Sequence, residues 1–131
     1  MPDVFYPSLF QEKIEKEYEV RSFYIDGRFY SMAIFSQNDK QTKDDFRKYN
    51  FQNMNRMVPY QLDKKTELNL HKVYSMLNLD TGSADFIKGK DGKYYFLEIN
   101  PTGQFGFVSF YCNYNLEKIV AKHLIQLDEK K

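Results

Sequence analysis

SADFIKGKDGKYYFLEIN, residues 83–100, is the stretch that decides how this sequence folds. Two runs rich in aromatic and branched residues, 83–88 and 93–100, flank the turn sequence GKDG at 89–92. Apolar alternation on both sides of a glycine-rich turn predicts a β-hairpin. Its core face is expected to consist of alternate residues, namely Ala84, Phe86, Tyr95, Leu97 and Ile99.

The polar residues of this hairpin are expected to share the opposite face. A two- or four-residue loop sets Asp85 opposite Phe96, with Glu98 on the diagonal. Because side chains alternate along a strand, Asp85, Glu98 and Asn100 then point the same way.

Two carboxylates and a side-chain carbonyl on one strand face suit a hard cation. Mg²⁺ prefers oxygen ligands and often takes only a few from protein, completing its shell with water and phosphate. Asp85, Glu98 and Asn100 are therefore candidate magnesium ligands. The alternative is that all three are solvated polar positions on the open face of an antiparallel sheet.

A second hairpin is predicted earlier in the chain, from runs at 18–25 and 29–35 around Asp26-Gly27. Asp-Gly between two β-rich runs indicates a type I′ turn, since glycine accepts positive φ freely. A two-residue turn pairs Ile25 with Arg28, Phe23 with Tyr30, Arg21 with Met32, and Glu19 with Ile34. A short strand is expected before this hairpin, at residues 9–14.

The middle of the chain is predicted as a long polar loop at 37–57 and then a helix. We expect residues 37–57 to be the least ordered internal segment. Asp63 is a candidate N-cap, and the helix ends at 78–82. Its apolar face is expected to consist of Leu68, Val73, Met76 and Leu77.

A closing helix is predicted from Leu116 to about Leu127, capped by Asn115. Its inward residues are expected to be Ile119, Val120, Leu124 and Leu127. The predicted fold class is α+β over a single domain, 1–131. An antiparallel sheet carries two main helices on one face, and Arg21, Asp85, Glu98 and Asn100 on the other.

Composition excludes several classes of protein. The 131 residues carry a net charge of +1, so there is no general electrostatic reason to bind nucleic acid or anionic lipid. The sequence contains no apolar run of about 18 residues, and its beginning lacks the pattern of a signal peptide. The lone Cys112 cannot form an internal disulfide, so a reducing cytoplasm is the simplest location. Among aromatic neighbours, Cys112 is expected to be a small buried hydrophobic residue.

Two arginines are candidate phosphate ligands, because a guanidinium binds phosphate oxygens bidentately and does not lose its charge. Arg21 lies in the middle of a predicted strand, and Arg47 lies in the polar loop. The alternatives are a surface ion pair for Arg21 and a solvated loop charge for Arg47. His71 and His123 have no matching ligand beside them and are expected to be packed or solvated.

An ordered set of short motifs resembles the C-terminal part of ATP-grasp ligases, and it covers nearly the whole chain. The resemblance is closest to the peptide maturases that make microviridin-like peptides (graspetides), including the grasp-with-spasm group. Each motif alone is unspecific, but their order is specific. The motifs are LFQEKI at 9–14, YEVR at 18–21, FRKY at 46–49, PYQL at 59–62, GSADF at 82–86 and FLEINPTGQ at 96–104.

The resemblance implies ATP-dependent activation of an Asp or Glu side chain of a precursor peptide as an acyl phosphate. A hydroxyl or amine of the same peptide then attacks, and an ester or amide cross-link forms. By motif position, Asp85, Glu98 and Asn100 match Mg²⁺ ligands, and Arg21 and Arg47 match arginines near the phosphates. The backbone that meets adenine is matched by Gln11, Glu12, Lys13 and Ile14.

The resemblance also implies partners. The sequence starts at about the hinge of such an enzyme, so the preceding domains are expected in a longer chain or in another polypeptide. The precursor peptide, with leader and core, is the expected substrate, and the hairpin at 18–35 is expected to contribute to leader docking. The sequence does not decide whether the chain forms a homodimer. The alternatives are an ATP-grasp ligase of the glutamate ligase or glutathione synthetase type, and a leader-binding module without catalysis.

Overall fold

The computed structural model describes residues 6–36 and 55–131. They form one antiparallel sheet of five strands, in the order β3-β2-β1-β4-β5, with three helices. The predicted α+β class is therefore confirmed. In chain order the elements are β1 Lys16–Ile25, β2 Arg28–Phe35, β3 Arg56–Tyr60, α1 Lys64–Met76, β4 Thr81–Gly89, β5 Tyr94–Asn100, α2 Gly106–Cys112 and α3 Leu116–Glu129.

The hairpin of β1 and β2 has the predicted turn and register. Asp26 and Gly27 both adopt positive φ, 47° and 79°, as a type I′ turn requires. All four predicted pairs occur, from Ile25 with Arg28 to Glu19 with Ile34. This local turn chemistry was sufficient to set the register.

The hairpin of β4 and β5 has a different register from the predicted one. Gly89 N donates to Lys93 O, and Gly92 adopts a φ of 79°, so the loop has three residues. Phe86 consequently pairs with Phe96. A β-bulge at Leu97 then shifts the register again, and Asp85 pairs directly with Glu98 rather than lying diagonal to it.

The changed register also changes the predicted core face of β5. Tyr95 pairs with Ile87 and therefore lies on the face opposite Phe86, and Leu97 is 53% exposed. Ile99 pairs with Ala84 and packs against the core, as predicted. Because the bulge restores the alternation, Glu98 and Asn100 still lie on the face of Asp85.

Helices cover both faces of the sheet, so the prediction of both main helices on one face is wrong. Helix α1 packs on the face with the core residues Val20, Tyr24, Leu62, Leu70, Tyr74, Ala84 and Phe86. Helices α2 and α3 pack on the other, with Phe23, Ile25, Met32, Ile34, Val108, Cys112 and Leu116. The physical reason is that β1 is buried along most of both faces, as a central strand covered twice must be.

Helix α1 starts where predicted but buries a different stripe. Asp63 is the N-cap, with Oδ1 accepting from Thr66 N at 2.9 Å, and the hydrogen bonds from Thr66 lower the pKa of Asp63. Leu70 and Tyr74 form the buried face. Four residues predicted to face inward are at least partly exposed: Leu68, Val73, Met76 and Leu77.

The closing helix α3 is confirmed, with two corrections. Asn115 makes no side-chain capping hydrogen bond; Ser109 Oγ accepts from Leu116 N at 2.9 Å instead. Ile119 and Val120 pack against the core as predicted, whereas Leu124 is 60% exposed and Leu127 38%. Cys112 is buried as predicted, and burial raises the pKa of its thiol to about 11.

Other expectations are wrong or lie outside the described residues. Residues 9–14 form no strand. The predicted loop at 37–57 runs into a strand that the sequence did not predict, because Arg56–Tyr60 is β3. The prediction that 37–57 is the least ordered segment falls almost wholly on residues 37–54, outside the described ranges. No helix of the described residues is both long and apolar enough to cross a membrane.

Candidate active site

A row of charged side chains crosses three neighbouring strands. Arg21 of β1 pairs with Asp85 of β4, which pairs with Glu98 of β5. Directly paired residues share a face, so all three side chains lie on the side of α2 and α3. The sequence prediction that they share a face is correct.

Arg21 binds Asp85 bidentately. Its Nε and Nη2 donate to Oδ1 and Oδ2, both at 2.8 Å. The side chains are 20% and 14% exposed, so water screens the pair only in part. The guanidinium therefore fixes the orientation of the carboxylate. Each oxygen keeps a further lone pair that a cation can use.

The turn after β5 holds Asn100 in place. Asn100 Oδ1 accepts from Thr102 N at 3.1 Å and from Thr102 Oγ1 at 3.0 Å. Gly103 N donates to the main-chain oxygen of Asn100, which folds the turn back against Ser83. The motif at 101–104 therefore orients the third oxygen ligand predicted from the sequence.

A cleft of about 690 Å³ adjoins the charged row. The predicted nucleotide-binding residues 11–14 form one wall, and Ile87, Tyr95 and Leu97 lie on the sheet side. Ile87 is two residues from Asp85 on the same face of β4, about 7 Å along the strand. The structure thus brings the predicted nucleotide segment and the predicted metal ligands to neighbouring places.

Sequence reasoning missed Lys16, which also lines this cleft. Lys16 is buried, and its Nζ lies 2.5 Å from Glu19 Oε1. A register shift between Lys16 and Tyr18 allows Lys16 to reach Glu19. The available signal was a lysine at the very start of a strand, three residues before a glutamate.

The donor set fits a cation that is only partly ligated by protein. Two carboxylates and one amide oxygen are hard donors, and Mg²⁺ keeps water and phosphate in its shell. Within the two described ranges no group of three His, Cys, Asp or Glu side chains is arranged to hold a metal. Arg47 lies outside the described residues, so its predicted role stays a prediction.

Comparison with known proteins finds similarity at the level of structure. No protein-family model matches the chain, and no curated protein matches it. The RiPP-associated ATP-grasp ligase of Chryseobacterium gregarium, solved with ADP and a leader and core peptide, is 32% identical with a TM-score of 0.68. The match covers 72% of this chain and 28% of that ligase.

Two further solved ligases are similar. The macrocyclase MdnC of Microcystis aeruginosa, bound with precursor peptide MdnA, is 31% identical over 77% of this chain and 30% of its own, with a TM-score of 0.60. The ATP-grasp ligase PsnB, solved with a precursor variant, Mg and ADP, shares the fold at 20% identity. Its TM-score is 0.70, over 88% of this chain and 34% of its own. The chain therefore resembles graspetide-type ATP-grasp ligases and spans about a third of their length or less.

Proposed function

We propose that this chain is the metal- and phosphate-binding part of an ATP-grasp ligase that cross-links a ribosomally made precursor peptide. The observation that carries the proposal is the row of Arg21, Asp85 and Glu98 beside the cleft lined by 11–14. The 31–32% identity to two ligases solved with precursor peptides supports the substrate class.

The proposed reaction has two steps. An Asp or Glu carboxylate of the peptide attacks the terminal phosphorus of ATP, giving an acyl phosphate and ADP. A Ser or Thr hydroxyl, or a Lys amine, then attacks the acyl carbon and releases phosphate. The product is an ester or an amide, and the peptide loses one water for each cross-link.

Asp85, Glu98 and Asn100 would hold Mg²⁺ in this proposal, and the ion would neutralise phosphate charge. Arg21 orients Asp85, and Arg47 is proposed to contact phosphate. The backbone of residues 11–14 would position the adenine. Such chemistry needs mainly positioning and charge stabilisation from the protein, which a preformed row of this kind supplies.

The chain spans about a third or less of the length of the similar ligases, so the remaining domains of such a ligase are proposed as its partners. The wall of the cleft opposite the described residues is proposed to come from the further ATP-grasp domains, in the same or another polypeptide. The precursor peptide is the proposed substrate.

The test is ATP-dependent loss of water from the precursor peptide, measured by mass spectrometry on the ligase that contains this chain. Glu98→Gln keeps the size of the side chain and removes its charge. We expect the rate to fall about 100-fold or more. The thermal unfolding temperature should change little, since Glu98 is exposed.

Glu129→Gln, at the exposed end of α3, is the matched control and should leave the rate unchanged. Cross-linking by the Glu98→Gln enzyme at the normal rate would place the chemistry on other residues. Transfer of a free amino acid or small amine in place of internal cross-linking would favour the glutamate ligase or glutathione synthetase type.

A further inference from the structure

We infer that the outer edge of β5, with the apolar groove beside it, binds an extended segment of the peptide substrate by strand addition. This inference rests on the proposed function. It concerns a surface separate from the carboxylate row, on the α1 side of the sheet.

The first observation is the edge itself. Strand β5 ends the sheet, and within residues 6–36 and 55–131 no strand pairs with its outer side. The opposite edge, β3, has five residues and includes Pro59, which lacks an N–H. In contrast, β5 has seven residues, no proline and one charged side chain, Glu98, and its bulge at Leu97 leaves residues 94–96 as a regular edge. An edge of this kind is a template for another strand.

The second observation is a groove of about 270 Å³ between α1 and β5. Its walls are mostly apolar, with Leu70 and Val73 from α1 and Phe86 and Phe96 from the sheet, and Thr66 and Asn69 are its polar residues. Phe96 is 53% exposed, although its ring contacts Phe86. The volume lies just below the range of small-molecule sites and suits one aromatic or long aliphatic side chain.

An edge and an adjoining side-chain pocket together define the occupant. Strand addition takes its affinity from main-chain hydrogen bonds and its specificity from pockets for alternate side chains. Since Phe96 lies on β5 itself, one strand can occupy both features at once. The occupant is therefore an extended peptide with an apolar anchor residue.

The position of the groove connects it to the reaction. Phe96 lines the groove and also the cleft near residues 11–16. From Tyr94 in the groove to Glu98 is four residues of β5. Because of the bulge at Leu97, this stretch matches three residues of a paired strand, about 10 Å. A peptide anchored in the groove would thus present the residue three positions away to the carboxylate row, because an odd spacing turns a side chain to the opposite face of the sheet.

Charge at the turn end of β5 suits a peptide rich in Asp and Glu. Lys88 Nζ lies 4.0 Å from the centre of the Tyr94 ring, and Lys93 precedes Tyr94. The one acid in this turn, Asp91, accepts hydrogen bonds from Tyr95 Oη and Lys93 N. The two lysines leave an excess of positive charge beside the groove.

The test measures binding to the 131-residue chain without ATP, by fluorescence anisotropy. The probe is a fluorescein-labelled peptide of eight residues, threonine and valine with one phenylalanine and a glutamate three positions later. Val73→Asp puts a charge into the groove at a partly exposed helix position, and we expect the Kd to rise about tenfold or more. Leu68→Asp, on a part of α1 that does not line the groove, is the matched control and should leave the Kd within about twofold.

A second probe tests the strand itself. N-methylation of alternate peptide bonds removes donors and should also weaken binding about tenfold or more. The inference is overturned by equal effects of Val73→Asp and Leu68→Asp, by unchanged binding of the N-methylated peptide, or by no saturable binding at millimolar peptide. Self-association of the chain that Val73→Asp abolishes, seen by sedimentation, would assign the edge to a second copy instead.

Failure of the inferred peptide groove can be distinguished from failure of the proposed function. Peptide binding that Val73→Asp disrupts, with normal cross-linking by Glu98→Gln, would leave the groove standing and refute the proposed chemistry. Peptide binding that Val73→Asp leaves unchanged, with cross-linking lost in Glu98→Gln, would refute the groove and leave the proposed chemistry standing.

Discussion

At the scale of single residues, the ion pair of Arg21 and Asp85 explains how charges stand in the middle of a sheet. Both side chains are largely removed from water, and each satisfies the other through two hydrogen bonds. Loss of one partner would leave the other charge poorly solvated. The pair therefore supports the fold at the position where the proposed chemistry needs a carboxylate.

Asp85→Asn should lower the free energy of unfolding by about 2 kcal/mol, between the costs for exposed and fully buried pairs. Urea unfolding followed by circular dichroism measures this. Asp128→Asn removes one partner of an exposed pair with Lys131 and should change stability by less than about 0.5 kcal/mol. Equal effects of the two variants would show that the Arg21–Asp85 pair contributes no more to stability than an exposed ion pair does.

Two glycines near the site differ in how much free space surrounds them. A Cβ at Gly103 would clash with Ser83 Oγ and lie 2.6 Å from Ser83 N, whereas a Cβ at Gly106 meets nothing within 4 Å. Gly103→Ala should therefore cost about 1–3 kcal/mol of stability, because the backbone of Ser83 cannot move freely. Gly106→Ala should be neutral or slightly stabilising at the start of α2.

Thermal unfolding of both glycine variants measures the difference. A Gly103→Ala protein as stable as wild type would mean that the turn at 101–104 does not pack against Ser83 as described.

At the scale of elements, the β4–β5 hairpin explains how a wrong register led to a correct face. The three-residue loop ending at Gly92 shifts the pairing by one residue, which alone would turn Glu98 away from Asp85. The bulge at Leu97 adds one more residue and turns Glu98 back. Two irregularities that sequence periodicity does not reveal cancel at this position.

Helix α1 offers a direct test of which stripe faces the sheet. Leu70 is 4% exposed and Leu68 is 63% exposed, although both are leucines two positions apart. Leu70→Ala should cost about 2–4 kcal/mol, from lost burial and the cavity left behind. Leu68→Ala should cost less than about 0.5 kcal/mol. Chemical denaturation gives both values, and a reversed order would place the helix on its other face.

At the scale of the whole molecule, the sheet is covered twice but not completely. Helix α1 covers one face and helices α2 and α3 cover part of the other. The charged row and the cleft lie on that second face. This arrangement leaves one side of the cleft open in the described residues. An opposing surface is what the proposed enzyme requires there.

We expect the 131-residue chain by itself neither to hydrolyse ATP measurably nor to cross-link peptide. A weakly held ion resists dehydration, and phosphates that would complete its shell need both walls of the cleft. Phosphate release and mass spectrometry of the peptide measure the two activities, with the full ligase as the positive control. Full activity of this chain would refute the need for further domains.

The sequence by itself determined what depends on neighbouring residues. Asp26-Gly27 set the first turn and its register, and Asp63 set the start of α1. Alternation along the strands predicted that Arg21, Asp85 and Glu98 share a face. These features are readable because turns, caps and strand parity involve only a few consecutive residues.

Only the tertiary structure decided what depends on distant segments. It placed the helices on two faces, buried Leu70 and Tyr74 rather than Leu68, and brought residues 11–14 against β5. It also paired Arg21 with Asp85, 64 positions apart. The physical reason is that burial follows from which surfaces meet, and a period in one element does not state which neighbour will cover it.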